Sequence, residues 1–186
     1  MKYFTAKGDG GTTKLFTCPQ GIHLSKGSGV FEVLGGVDEL NSFVGWCRAV
    51  VGRSKLRGAK RKALLQTLLS FQEDLFIVQA ELGGGEKRLS KEKVEHLEQT
   101  IEKYANAFPE IRSFVIPGAS ELGALLDVTR TIARLVERLY VRVKGEDKLK
   151  DSAIGPYLNR ASSLLYVLAR YANHELGAVE NPPSYH

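Results

Sequence analysis

The sequence has little cysteine. Its two cysteines, Cys18 and Cys47, form no CxxC pair, which disfavours both a disulfide-stapled scaffold and a zinc site. Cys47 lies among apolar residues at helical spacing, so we expect it to fill space in a hydrophobic core. The sequence therefore points away from thiol chemistry and towards a fold that is stabilised by burial alone.

Long apolar runs are also absent. No stretch of about 18 uncharged apolar residues occurs, which excludes a membrane-spanning helix. The first 14 residues are polar and glycine-rich and lack the apolar centre of a signal peptide, so we expect a cytoplasmic protein without a membrane partner. Hydrophobic residues make up 43% of the chain and charged residues 25%, which excludes wholesale disorder.

The chain length of 186 residues predicts one domain, 1–186, with a core of its own. The formal net charge of +5 fits an anionic partner. A basic run over 53–62 could contact nucleic acid, but no interleaved aromatic residues or known nucleic-acid module accompany it. We therefore expect a solvated helix face there and no nucleic-acid partner.

Hydrophobic periodicity predicts an all-α fold, a five-helix bundle of the ferritin-like up-down type. The predicted helices cover about 37–51, 55–82, 90–107, 120–144 and 156–173. Residues 1–36 are predicted to form a glycine-rich N-terminal loop region, because eight glycines fall between residues 5 and 36. The segment 178–186, with two consecutive prolines, is predicted to be a flexible tail.

The fourth predicted helix carries charge on an otherwise apolar surface. Asp127, Arg130, Arg134 and Glu137 share one side, and apolar residues cover most of the remaining directions. Buried arginines are costly unless an anion meets them. This pattern leaves two interpretations open: ion pairs within the bundle, or an anion-binding site.

Two further features carry the same ambiguity. The fifth predicted helix has a polar row of Asn159, Ser163, Tyr166 and Arg170, which fits either a solvated face or a face towards a ligand. The loop at 5–14 combines glycines, hydroxyls and lysines, which can approach an anion closely. It is not a Walker A motif, and many such loops are simply flexible.

Four blocks in order resemble the PduO-type ATP:cob(I)alamin adenosyltransferases over nearly the whole chain. The first is Gly8-Asp9-Gly10-Gly11-Thr12-Thr13, and the second runs from Lys26 through Phe31-Glu32 and Gly35 to Asp38-Glu39-Leu40-Asn41-Ser42 and Gly45. The third is Phe114-Val115-Ile116-Pro117-Gly118 with Arg130-Thr131, Arg134 and Glu137-Arg138. The fourth is Tyr157-Leu158-Asn159-Arg160 with Leu168-Ala169-Arg170-Tyr171-Ala172.

The resemblance implies a homotrimer with active sites between subunits. The reaction that it implies transfers the 5′-deoxyadenosyl group of ATP to the cobalt of cob(I)alamin, releases triphosphate and forms adenosylcobalamin, with Mg²⁺ present. Since Co(I) is itself the nucleophile, no protein nucleophile is needed, and the sequence offers no Ser–His–Asp set. A reductase and a cobalamin-dependent acceptor enzyme are further partners that the resemblance suggests.

The resemblance also implies roles for individual residues. Phe114 matches the aromatic residue that displaces the lower axial ligand of the corrin, and Asp38 matches an aspartate that pairs with Arg130 across the subunit interface. Glu137 is a candidate Mg²⁺ ligand. The implied catalytic residues are Phe114, Arg130 and Asp38, and the implied ATP-binding residues are Thr5, Gly8, Asp9, Gly11, Thr12, Thr13, Lys26, Arg130, Arg134, Glu137 and Asn159.

The chain departs from the pattern of these enzymes at several positions. Ala6, Ala119, Asp127, Leu135 and Ser163 stand where an arginine, a glycine, a histidine, an arginine and an aspartate are usual. Ala6 and Ser163 each remove a charge near the implied site. These departures motivate an alternative, a non-catalytic carrier of ATP or corrinoid with the same fold. A third reading is an unrelated helical nucleic-acid-binding or scaffold protein.

Overall fold

A computed structural model describes residues 3–145 and 152–185. The predicted five-helix bundle is confirmed in this part of the chain. The helices are α1 Gly29–Arg53, α2 Gly58–Leu82, α3 Lys91–Ala105, α4 Glu121–Val143 and α5 Ile154–Glu175. A short antiparallel pair, β1 Thr12–Thr13 with β2 Leu24–Ser25, precedes them, and Thr12 lies opposite Ser25. None of the described helices is long and apolar enough to cross a membrane.

Contacts between the helices define an alternating up-down arrangement. Helix α4 packs between α1 and α5. Arg53 at the end of α1 bonds Glu121 at the start of α4 over 2.6 Å, so these two helices run antiparallel. Asn159 near the start of α5 meets Glu137 near the end of α4, so that pair is antiparallel too. This geometry presents one face of α4 to α1 and another to α5.

One hydrophobic core runs through the bundle. Its fully buried side chains include Leu40, Leu64, Leu68, Leu75, Leu122, Leu126, Ile154 and Leu158. Cys47 is also fully buried, as its spacing predicts, and its Sγ lies 3.3 Å from Thr129 Oγ1 on α4. Burial raises the pKa of the Cys47 thiol to about 11, so this cysteine stays protonated at neutral pH.

Helix α1 begins at Gly29, eight residues before the predicted start at Val37. The density of glycines predicts a loop there. In the structure these glycines are helical, because they allow α1 to pack against α4. A Cβ on Gly36 would lie 3.2 Å from Val136 Cγ2, and a Cβ on Gly29 would lie 2.8 Å from Val143 Cγ1. Because glycine has no side chain, α1 and α4 approach closely at these positions. This tertiary packing outweighs the low helix propensity of glycine.

Two predicted helix ends agree with the structure. Ser120 caps α4, since its Oγ accepts a hydrogen bond of 3.0 Å from the amide of Gly123. Helix α2 ends at Leu82, directly before three consecutive glycines. The amide of Phe16 donates to the carbonyl of Gly83 over 2.9 Å, which joins the N-terminal segment to this end of α2.

The segment after α5 makes specific contacts where its composition predicts a flexible tail. Asn173 Nδ2 donates to Glu180 Oε1 over 2.5 Å, and the amide of Ile116 donates to the carbonyl of Asn181 over 2.9 Å. Glu180 also lies 3.0 Å from the buried guanidinium of Arg170. A carboxylate that compensates a buried cation holds this segment against the bundle, although its prolines end the helical pattern.

Candidate functional site

The N-terminal hairpin brings together several of the residues singled out in the sequence. Lys26 follows β2, and its backbone amide donates to the carbonyl of Gly11 over 2.9 Å. Its ammonium donates to the carbonyl of Gly8 over 2.9 Å. Pairing of β1 with β2 places Thr12 and Thr13 in the same small hairpin. Lys26 and the glycine-rich turn at 8–11 therefore form one exposed unit that could surround an anion.

The first part of that loop is a run of tight turns. The amide of Asp9 donates to the carbonyl of Ala6 over 3.4 Å, and the amide of Lys7 lies 3.5 Å from Thr5 Oγ1. Gly11 has a φ of 76°, a conformation that favours glycine. Thr5 and Asp9 are exposed, so their side chains are available to a ligand.

A basic pocket opens between the end of α4 and the start of α5. It has a volume of about 600 Å³ and is lined by Arg134, Glu137, Arg138, Val141, Arg142 and Asn159. Asn159 Nδ2 donates to Glu137 Oε1 over 2.8 Å across the two helices. Three arginines against one glutamate give the pocket a positive balance, which suits a polyanionic ligand.

Arg130 lies one helical turn before this pocket and pairs within the chain. Its Nε lies 3.3 Å from Asp127 Oδ1, and its side chain is 26% exposed. Ion pairing, the first interpretation of the charged row on α4, therefore applies to Arg130. Arg134 instead lines the open pocket, as the second interpretation requires.

Within the described residues, neither Asp38 nor Phe114 pairs with Arg130. Asp38 is exposed on α1, and its Oδ1 accepts a hydrogen bond of 3.5 Å from Gln79 on α2. Phe114 is 81% exposed in the segment between α3 and α4. Among the described residues, the ion pairs of Arg130 do not include Asp38. One chain therefore brings the hairpin residues together and the α4–α5 residues together, but not all three of the implied catalytic residues.

The described residues form no cluster of three or more His, Cys, Asp or Glu side chains that could enclose a metal ion. Glu137 supplies one carboxylate, which is shared with Asn159. Mg²⁺ is commonly held by one or two carboxylates together with substrate phosphates and water. A single carboxylate does not suffice to hold a cation alone, so a cation at Glu137 would need further ligands from a bound phosphate and water.

Some residues near the site were not identified from the sequence. Arg142 lines the basic pocket together with Arg138; their spacing of four residues on one helix is the signal that could have revealed it. Glu180 neutralises Arg170. It belongs to no periodic pattern, so no local signal marks it.

The fold and the site define a helical-bundle protein that carries a basic pocket on α4 and α5 and a glycine-rich hairpin with a lysine, both suited to a polyanionic ligand. The family described as cobalamin adenosyltransferase matches residues 3–172. The chain belongs to the cobalamin adenosyltransferase family.

Individual relatives agree with this assignment. The corrinoid adenosyltransferase of Bacillus subtilis is 34% identical over 182 residues, which is 95% of this chain and 89% of the relative. The cobalamin adenosyltransferase of Cupriavidus metallidurans is 36% identical, with coverages of 95% and 90%. The corrinoid adenosyltransferase PduO of Citrobacter freundii is 34% identical, and the chain spans 51% of its length.

Solved structures agree as well. A variant of the PduO-type ATP:corrinoid adenosyltransferase from Lactobacillus reuteri, complexed with cobalamin and ATP, has a TM-score of 0.85 and 26% identity, with coverages of 98% of this chain and 97% of the other. Another variant complexed with ATP has a TM-score of 0.79 and 28% identity, with coverages of 97% and 99%. The transferase activity predicted from the sequence, ATP-dependent adenosylation of a corrinoid, is confirmed by this family membership.

Proposed function

We propose that this chain transfers the 5′-deoxyadenosyl group of ATP to the cobalt of cob(I)alamin, with the residues of the hairpin and of α4 and α5 in the roles that follow. The observation that carries these assignments is the basic pocket, in which Arg134 lies beside the hydrogen-bonded pair of Glu137 and Asn159. Its charge matches a triphosphate, the group that must leave.

The reaction asks the protein for position and charge stabilisation. An electron pair on Co(I) forms the cobalt–carbon bond at C5′, the C5′–O bond breaks, and its electron pair leaves with triphosphate. The protein has to align C5′ with the cobalt and stabilise charge on the departing oxygen. Arg130, Arg134 and Asn159 would contact ATP. The hairpin, with Thr5, Gly8, Asp9, Gly11, Thr12, Thr13 and Lys26, would surround the phosphates.

The protein would contribute little to the binding of Mg²⁺. Mg²⁺ would neutralise part of the triphosphate charge, and Glu137 would supply a single carboxylate towards it or towards the nucleotide. Asn159 holds that carboxylate through its amide. The position of Glu137 is thereby fixed before the nucleotide arrives.

A site between the subunits of a homotrimer accounts for the separated residues. Asp38 is exposed, and no partner occupies the terminal guanidinium nitrogens of Arg130 within the described residues. Phe114 and the α4 residues Val128 and Leu135 expose apolar surface, 81%, 47% and 39% respectively. A second subunit would cover apolar side chains and bring its own Asp38 to Arg130. Phe114 would then displace the lower axial ligand of the corrin.

In the cell, other enzymes must act before and after the transfer step. Formation of Co(I) requires an electron donor, so a reductase must act before this step, and a cobalamin-dependent enzyme must accept the product. We place the enzyme in the cytoplasm.

An anaerobic assay tests the proposed function. MgATP is mixed with chemically reduced cob(I)alamin, and adenosylcobalamin is followed by its absorption spectrum. The expected result is product from the wild type and none from a folded Arg130→Ala variant. Absence of product with intact ATP binding would favour the alternative of a non-catalytic carrier, and full activity of Arg130→Ala would refute the assignment of Arg130.

A further inference from the structure

A buried carboxylate lies between two arginines where α4 packs against α5. Asp127 accepts from Arg130 through Oδ1 and from Arg170 through Oδ2. Its side chain is 6% exposed and that of Arg170 is 1% exposed. The guanidinium of Arg170 also lies 5.2 Å from the ring centre of Tyr166 and 3.0 Å from Glu180 Oε1. Two cations and two anions therefore balance in this cluster.

The side chains of the two arginines in this cluster differ in conformational freedom. Arg170 is enclosed by α4, α5 and the segment after α5, so it has little freedom to reorient. Arg130 is partly exposed, and Asp127 contacts it through Nε alone. This contact restrains the guanidinium at Nε and leaves both terminal nitrogens available to bind another group. A guanidinium that is restrained in this way loses less conformational entropy when it binds an anion.

We propose that Asp127 is a positioning residue for Arg130, and that Arg170 and Glu180 hold Asp127 in place. This inference rests on the proposed function, in which Arg130 contacts ATP. Asp127 itself does not contact the nucleotide. It fixes the angle of the Arg130 guanidinium, so that its terminal nitrogens meet both the phosphates and the partner subunit's Asp38. Arg170 prevents the carboxylate of Asp127 from following Arg130 into solvent.

The test compares MgATP binding to the wild type and to Asp127→Asn by isothermal titration calorimetry. The asparagine keeps the shape and removes the charge. We expect the Kd for MgATP to rise about ten-fold, because a misplaced contact group loses much of its effect. In the adenosylation assay, the KM for ATP should rise while the KM for cob(I)alamin stays unchanged. A purely structural role would not separate these two constants.

Two controls separate positioning from general damage. Glu121→Gln removes an exposed carboxylate of the same helix that pairs with Arg53, and it should bind MgATP like the wild type. Tyr157→Phe removes a buried hydrogen bond to Asp74 in another part of the bundle. It should lower the melting temperature without changing the Kd, which shows that reduced stability alone does not weaken binding.

If Asp127→Asn does not fold, Arg170→Lys takes its place, because one ammonium keeps the charge but cannot hold Asp127 and Glu180 together. It should weaken MgATP binding in the same direction. An unchanged Kd and KM for ATP in the folded variant would overturn the inference and leave the proposed function intact. A wild type that binds no MgATP would overturn the proposed function and the inference with it.

Discussion

The side-chain amide of Asn159 on α5 donates a hydrogen bond of 2.8 Å to Glu137 Oε1 on α4, and Arg160 donates one of 2.6 Å to Asn159 Oδ1. Arg160 in turn reaches Glu98 on α3 over 2.9 Å. Polar contacts therefore connect α3, α5 and α4 at the edge of the basic pocket. Because each group restrains the next, the carboxylate of Glu137 has a defined orientation at the pocket.

Replacement of Asn159 by alanine should weaken MgATP binding about ten-fold. The variant loses a proposed ATP contact and frees the Glu137 carboxylate to move, and a hydrogen bond to a charged group contributes about 1.5–3 kcal/mol. The Kd for MgATP, measured by calorimetry, checks this. Asn106→Ala, at an exposed asparagine that ends α3, serves as the control. Equal affinities in the two variants would remove Asn159 from the site.

Replacement of Lys26 by methionine should raise the Kd for MgATP about ten-fold and leave the melting temperature unchanged. Lys26 is exposed, and within the described residues its ammonium bonds only the loop carbonyl of Gly8, so folding gains little from it. Its charge would act on the phosphates instead, and the loss should shrink at high salt. Lys14→Met, at an exposed lysine of the same segment, is the matched control. A loss of equal size in Lys14→Met would indicate a nonspecific charge effect.

Replacement of Gly123 by alanine should destabilise the fold by about 1–3 kcal/mol, although alanine is the better helix former. A Cβ at Gly123 would overlap Oδ1 of the buried Asn173. Urea denaturation measures the change in the free energy of unfolding. At Gly52, on α1, nothing lies within 4 Å of an added Cβ. Gly52→Ala should therefore leave stability unchanged or raise it by up to about 1 kcal/mol, and a similar loss in both variants would contradict the steric argument.

Alkaline pH should destabilise the protein partly through Cys47. Burial raises the pKa of its thiol from 9.0 to about 11. The folded state therefore keeps this proton while the unfolded state releases it. The contribution is fully present below pH 9 and is lost as pH rises through about 11, with a total of about 3 kcal/mol.

The Cys47→Ala variant isolates this effect. It is less stable overall, because it leaves a cavity and loses the contact with Thr129. However, its free energy of unfolding should fall less steeply than that of the wild type between pH 9 and 11. Parallel curves for the two proteins in urea titrations across this range would show that the thiol does not titrate on unfolding.

The length, the apolar spacing and the helix-ending glycines were enough to predict five helices and an all-α bundle. The reason is that burial of one apolar helix face is a local pattern, readable within a few turns. The same holds for Ser120 as a helix cap and for Cys47 as a core residue. The start of α1 was predicted wrongly, because Gly29 and Gly36 are helical only through their fit against Val143 and Val136 on α4.

The order of the helices, the family and the residues that could meet an anion can be read from the sequence alone. How these charges pair with one another depends on the packing of the helices. Asp127 and Arg130 are one turn apart, but Arg170 is 43 residues further along the chain from Asp127 and Glu180 lies in a segment with no periodic pattern. Long-range ion pairs depend on how helices pack and on which charges that packing removes from water, and neither is encoded in the spacing of any single segment.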